Sequence, residues 1–142
     1  MSCELCETAG GDLIWQDAKC RVVRVADPDY PGFCRVIWRE HIREMTDLSP
    51  PDRAHLMQRV FVVETALRSL MKPDKINLAS LGNLTPHLHW HVIPRFVGDR
   101  HFPRPVWAEA AAREHVVARF EEAHIVERVR EALNGNDGSE LD

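Results

Sequence analysis

The chain has 142 residues with 18 basic and 22 acidic side chains, a net charge of −4 and a pI near 6.0. That length fits one domain able to bury its own core, and the charge balance gives no basic footprint for coating nucleic acid, while leaving small charged substrates open. The N-terminus, Met-Ser-Cys-Glu-Leu-Cys-Glu, has neither a basic region nor an apolar stretch, and no apolar run elsewhere approaches a membrane span. The expectation is a cytoplasmic protein without a membrane or nucleic-acid partner, in which Cys3, Cys6, Cys20 and Cys34 stay reduced as core residues or metal ligands.

The first forty residues alternate loosely. Leu13 to Trp15, Arg21 to Val25 and Phe33 to Trp38 are bounded by Gly10-Gly11, Asp17-Ala18 and the turn-rich stretch Asp27 to Gly32, which predicts antiparallel strands joined by short loops. Ser49 before Pro50 and Pro51 predicts a helix start, with Ser49 as N-cap and the prolines in the first turn. Leu56, Val60, Val63, Leu67 and Leu70 then recur at spacings of four and three. This predicts a helix that packs one face on the sheet, turns His55 outward and ends near Lys72-Pro73. Ile76 to Leu81 reads as a further strand, and Gly82-Asn83 as the turn that returns the chain into the next one. Beyond it, Arg95 to Pro105 holds Arg95, Arg100, His101, Arg104 and two prolines, an irregular loop suited to folding over a site. A second helical region is expected from about Ala108 to Leu133, its apolar stripe drawing on Val116, Phe120, Ala123 and Val126. Residues 134–142 read as a frayed, disordered tail.

The chemistry concentrates in Pro86 to Arg95, which reads Pro-His-Leu-His-Trp-His-Val-Ile-Pro-Arg. In an extended conformation His87, His89 and His91 share one face and Leu88, Trp90 and Val92 the other. Alternate side chains on a strand sit about 6.5–7 Å apart, so the three rings can converge on one anionic group or one metal. A neutral imidazole suits phosphorus chemistry, because it brings no charge to repel a phosphate and gives a reactive phosphoramidate. Such a site needs one attacking ring, a group that orients it or protonates the leaving group, and donors for the non-bridging oxygens. The metal reading needs further ligands, and no Asp or Glu lies beside the array to complete a hydrolytic site. A second feature, Cys3-x-x-Cys6, has the spacing of half a tetrahedral zinc site.

The run His87-Leu88-His89-Trp90-His91-Val92-Ile93 matches His-φ-His-φ-His-φ-φ, with φ apolar, at every position. In this the chain resembles the histidine triad (HIT) family of nucleotide hydrolases and transferases, from about Cys3 to Pro105. The family often carries an Asn or Gln about ten residues before the triad and a Gly-Gln pair just before it, and Asn77 and Gly82-Asn83 sit in those places. The resemblance implies that His89 attacks the α-phosphate and carries a nucleotidyl group that water removes. It implies that His91 contacts the phosphate and the departing or bridging oxygen, and that the backbone near His87 helps hold the attacking ring in the right tautomer. It further implies that Asn77 and Asn83 bond ribose or phosphate oxygens. Where many relatives have Ser or Thr after the Gly-Gln pair, this chain has Leu84 and then Thr85, which leaves the leaving group unassigned.

Some triad proteins and their uridylyltransferase relatives bind structural zinc with a Cys pair, a histidine after an early strand and the first triad histidine. The resemblance therefore implies Cys3, Cys6, His41 and His87 as a zinc set, the other reading being free thiols and a surface His41. Arg95, Arg100 and Arg104 are candidates for polyphosphate contact, with solvated side chains as the alternative. Trp90 points to the core, whereas Trp107 is placed to pack over the site or at a subunit contact.

Together these expectations describe an α+β chain. It comprises a HIT domain over 1–105, built on an antiparallel sheet of about five strands with a principal helix, then a helical extension over 106–133 packed on the same domain and a tail over 134–142. The expected activity is hydrolysis or nucleotidyl transfer at the α-phosphate of nucleoside phosphoramidates, nucleoside phosphosulfates or dinucleoside polyphosphates. It requires no cofactor for the chemistry, with a candidate structural zinc and a homodimeric state as in relatives. Two rivals stand beside it: a purine-nucleotide sensor with little turnover, and a metal-dependent hydrolase using the triad as ligands.

Overall fold

The computed structural model describes residues 2–135. In chain order it runs α1 (Glu4–Glu7), β1 (Asp12–Gln16), β2 (Cys20–Arg24), β3 (Cys34–Trp38), a single 3-10 turn at Met45–Asp47, α2 (Pro50–Met71), β4 (Lys75–Ala79), β5 (His89–Arg95) and α3 (Glu122–Gly135). The strands form one antiparallel sheet in the order β1-β2-β3-β5-β4. This is the α+β arrangement the sequence predicts.

The period of two along each strand divides the sheet into two faces. Cys34 and Leu78 pair with Val92, and Val36 pairs with Trp90. This set, with Cys20, Val22, Trp38 and Ile76, forms the main core against Leu56, Val60, Val63, Leu67 and Met71 of α2 and Ile125, Val129 and Leu133 of α3. The opposite face carries Arg35 opposite His91, Ile37 opposite His89 and Asn77 opposite Ile93. Among the described residues, no helix longer than the single turn α1 covers that side. Leu5 of α1 packs there on Val23 and Ile37, while Tyr30 and Phe33 pack on Ile93.

The long helix begins and ends as its sequence dictates. Ser49 Oγ accepts a bond from the Asp52 N–H at 3.3 Å, Pro50 and Pro51 occupy positions whose N–H groups have no intrahelical partner, and Lys72 closes the helix in the left-handed region at φ 49 before Pro73. No helix among the described residues is long and apolar enough to cross a membrane.

Four expectations are corrected. His55 does not face outward: it is half-buried, its Nε2 2.7 Å from Asp17 Oδ2 and its ring edge-on to Trp38, because the β1–β2 turn reaches under the helix. The link between β4 and β5 is the long connection 80–88 rather than a tight hairpin; Gly82 turns in it at φ +73, and His87 lies just outside β5. The second helical region starts only at Glu122. Over 108–121 the backbone is drawn into long-range bonds, Ala111 N–H to Arg100 O and Val116 N–H to Gly98 O, which replace an intrahelical ladder. Val116 is accordingly 73% exposed, while Phe120 packs on Phe96 and the stripe of α3 is Ile125, Val129 and Leu133. Finally, in the segment expected to fray, Asn134 and Gly135 belong to α3, with Asn134 Oδ1 accepting from Trp15 Nε1 at 3.1 Å; residues 136–142 lie outside the described residues.

This division of faces fixes where mutations hurt. Leu67→Ala, in the fully buried α2 stripe, is expected to cost about 2–5 kcal/mol, whereas Val116→Ser is expected to stay within about 0.5 kcal/mol, both read from urea unfolding midpoints. A Val116 variant as destabilised as the Leu67 variant would mean that 108–121 packs as a helix after all.

Candidate active site

His89 and His91 point from β5 to the face away from the helices, 7% and 5% exposed, with ring centroids 4.9 Å apart and planes nearly perpendicular. His89 Nδ1 lies 2.5 Å from the His87 carbonyl oxygen. A carbonyl only accepts, so Nδ1 carries the proton and Nε2 keeps the lone pair. His91 sits between His89, the edge of Phe33 at 5.7 Å and Trp107 at 4.9 Å between centroids. Burial, then the proximity of His89 and of the Arg35 guanidinium, pushes His91 down to about 3, so its ring is neutral throughout the physiological range. Its Nδ1 is buried and without a hydrogen-bond partner among the described residues.

His87 turns elsewhere. Its Nε2–H donates to the Trp38 carbonyl at 2.6 Å, which leaves Nδ1 as the lone-pair atom, 3.5 Å from Cys3 Sγ and 3.4 Å from Cys6 Sγ. His41 Nδ1 stands 3.5 Å from Cys6 Sγ, and the four donor atoms all lie within 4.8 Å of one another. A tetrahedral zinc with bonds of about 2.3 Å to sulfur and about 2.0–2.1 Å to nitrogen has sulfur–nitrogen edges of about 3.5 Å, so the donor set fits the ion in both type and spacing. The cluster is assembled locally by α1, whose single turn brings Cys3 and Cys6 together through Cys6 N–H and Glu7 N–H bonds to the Cys3 carbonyl. Arg21 then clamps the end of that turn, donating to the carbonyls of Leu5, Thr8 and Ala9. Gly10 turns the chain into β1 at φ +79, where a Cβ would stand 2.6 Å from Leu5 Cδ2.

The other sequence candidates divide. Asn77 shares the histidine face, its Oδ1 accepting from Arg95 Nη1 at 2.7 Å, which leaves its amide NH2 to meet an acceptor. Asn83 is exposed in the 80–88 connection and makes no hydrogen bond among the described residues. Arg95 is neither solvated nor free for phosphate. It is buried in a two-pronged pair with Asp99, at 2.8 and 3.0 Å, and also donates to the Arg104 carbonyl. Burial alone would raise Asp99, but Arg95 and the N–H groups of Phe102, Phe96 and His101 outweigh it and hold the carboxyl below its usual range. Arg100 is paired with Asp29 at 3.1 Å, and Arg104 donates to the Glu109 carbonyl. Trp90 lies on the helix side with Nε1 on Met45 Sδ, as expected.

Residues outside the motif complete the surroundings. Arg35 and Ile37 face the histidines through the β3–β5 register, which alternation within Phe33 to Trp38 hints at without naming the partner strand. Arg113 ties down the loop after β5, donating to the carbonyls of Val97, Asp99 and Phe102; nothing in the local sequence signals this.

An antiparallel sheet with helices on one face and alternating histidines on the other defines a histidine triad protein. The HIT domain family matches residues 8–98, and the chain belongs to it. A crystal structure of a histidine triad protein from Bradyrhizobium japonicum is 32% identical, with a TM-score of 0.68 over 95% of both chains. A Zn-bound histidine triad family protein from Mycobacterium smegmatis shares the fold at 22% identity, with a TM-score of 0.63 over 99% of both chains. The AP-4-A phosphorylase of Mycobacterium tuberculosis is 30% identical over 81 residues, which is 53% of this chain and 42% of that protein. The chain thus spans less than half the length of this curated relative.

The buried pair beside the site has a pH signature. Because Asp99 is held below its unfolded value, its stabilisation is complete above about pH 4 and is lost as pH falls through the lowered folded value. Asp99→Asn leaves Arg95 buried without a countercharge, and near neutrality it is expected to cost about 3–5 kcal/mol. The gap in melting temperature from wild type should narrow as the pH is taken from 5 towards 2. A gap that stays constant would show that the carboxylate charge contributes nothing.

Proposed function

We propose that the protein hydrolyses or transfers nucleotidyl groups at the α-phosphate of nucleoside phosphoramidates, nucleoside phosphosulfates or dinucleoside polyphosphates, through a covalent intermediate on His89. The observation that carries this reading is the bond from His89 Nδ1 to the His87 carbonyl, which puts the ring's lone pair on Nε2. Nε2 forms a bond to phosphorus as the bond to the leaving group breaks, and water then displaces His89 from the nucleotidyl group. His91, kept neutral by burial, lies beside His89 where it contacts the phosphate without adding charge. The NH2 of Asn77 serves a ribose or phosphate oxygen, as does Asn83 once substrate meets the 80–88 connection. His87 supports the nucleophile through its backbone.

The same reading includes one structural zinc held by Cys3, Cys6, His41 and His87, outside the reacting atoms. It speaks against a hydrolytic metal at the triad, because the His87 ring turns to the cysteines while His89 and His91 remain on the other side of its carbonyl. A homodimer is part of the proposal, supported by the outer edge of β4, which pairs with no strand among the described residues.

His89→Ala is expected to lower turnover by more than about a thousandfold while preserving fold and nucleotide affinity. A rapid-quench mass spectrum of wild type should carry a nucleoside monophosphate adduct on His89. Wild-type turnover in the purified variant would overturn the covalent mechanism on His89. A panel of phosphoramidates, phosphosulfates and dinucleoside polyphosphates, read by product chromatography, separates the substrate classes.

Elemental analysis of protein purified without chelator should find about one zinc per chain. Protein that takes up no metal after refolding with added zinc would reduce Cys3 and Cys6 to free thiols.

A further inference from the structure

On the histidine face Val23 of β2 pairs with Arg35 of β3, and Arg35 pairs with His91 of β5, so the three side chains stand in one row. Ile37 and Ile93 stand in the neighbouring rows. Arg35 is therefore a cation set among apolar side chains and neutral rings. Its Nη1–H donates to the Gly10 carbonyl at 2.9 Å, but its Nε–H is buried without a partner, and no carboxylate pairs with it among the described residues. Burial pushes the guanidinium below its ordinary range, opposed by the charge of Glu4. The arginines around it are matched: Arg95 has Asp99, Arg100 has Asp29, and Arg21 and Arg113 donate to backbone carbonyls. Opposite Arg35, His91 is 5% exposed and its Nδ1 is also buried and unpartnered. Two unmatched polar atoms thus belong to one cross-strand pair, beside the nucleophile. A buried donor without a partner is costly, and a ligand that supplies the acceptor removes the cost.

What this pair can give defines the ligand. A guanidinium donates through a rigid fork and does not release its proton, and burial keeps His91 neutral. Neither supplies the proton that an amine must gain as its bond to phosphorus breaks. A phosphate or sulfate needs none. As His89 Nε2 forms the new bond to phosphorus, the bond from phosphorus to the bridging oxygen breaks, and that oxygen leaves with the electron pair as part of an anion. A cation beside it stabilises the charge that develops. We infer that Arg35, next to His91, is a substrate-contacting residue that holds the anionic group leaving the α-phosphate. It thereby selects dinucleoside polyphosphates and nucleoside phosphosulfates over phosphoramidates. This rests on the α-phosphate reading above and narrows its substrate class.

The test measures kcat/KM for a diadenosine polyphosphate, adenosine phosphosulfate and adenosine phosphoramidate in wild type and Arg35→Leu, with circular dichroism on the same samples. Wild type is expected to favour the substrates with anionic leaving groups, the larger kcat/KM telling phosphate from sulfate. Arg35→Leu should lower kcat/KM for the favoured substrate about a hundredfold and that for the phosphoramidate less than about threefold. Equal losses on all three substrates, or no loss, overturn the assignment. Should Arg35→Leu unfold, Arg35→Gln, neutral and still able to donate to the Gly10 carbonyl, makes the same comparison. Calorimetry reads the contact without turnover. In the His89→Ala chain ADP should bind more tightly than AMP, and adding Arg35→Leu should shrink that ratio about tenfold. An unchanged ratio, or a loss that separates GMP from AMP instead, places Arg35 away from the leaving group and overturns the assignment. Absence of the His89 adduct on wild type defeats the covalent mechanism instead, and the ADP-to-AMP ratio still judges Arg35.

Discussion

The hydrogen bond from His89 Nδ1 to the His87 carbonyl is the constraint on which the chemistry of this domain depends. It costs the protein little, since one ring nitrogen and one carbonyl outside the ladder satisfy each other. Its consequence is large, because it decides which nitrogen of His89 keeps a lone pair. The bond exists because β5 starts at His89 rather than at His87. Had the ladder extended two residues further back, the His87 carbonyl would have been drawn toward a neighbouring strand and its ring left beside those of His89 and His91.

The sheet keeps two kinds of surface apart. One face is buried under α2 and α3 by apolar residues, which supplies the stability. The other holds the buried histidines together with Arg95 and Asp99, each of which must find a partner or stay neutral. The solutions differ from residue to residue. Arg95 is matched by Asp99 and Asn77, His87 by Trp38 and the cysteine cluster, and His89 by a carbonyl. His91 is kept neutral instead, and its unpaired Nδ1 is the one ring nitrogen of the triad for which the described residues offer nothing while burying it.

The loop after β5 owes its order to charge rather than to apolar packing. Arg113 spans carbonyls from Val97 to Phe102, and Asp99 gathers the N–H groups of Phe96, His101 and Phe102 around the carboxylate that pairs with Arg95. A buried ion pair of this kind contributes little net stability compared with apolar packing but penalises every other arrangement. Here the arrangement it selects seats Trp107 against His91.

Much of this was legible in the sequence because the signals are local. Ser49 and the two prolines mark the start of α2, the spacing from Leu56 to Leu67 marks its buried stripe, and strict alternation separates His89 and His91 from Trp90 and Val92. The Cys3–Cys6 spacing identifies half of the zinc-like cluster, and family resemblance points to His41 and His87. What only the tertiary structure decided involves partners far apart in the chain. Local sequence makes Arg95 a loop cation, but it is a buried ion-pair partner; it makes residues 108–121 helical, but their backbone bonds to the loop at Gly98 and Arg100 instead; it turns His55 outward, but the ring lies on Asp17. The physical reason is the same in each case. Periodicity and capping are set by neighbours within a turn or two of chain, whereas the fate of a polar side chain depends on which donor or acceptor the strand register and loop closure bring against it.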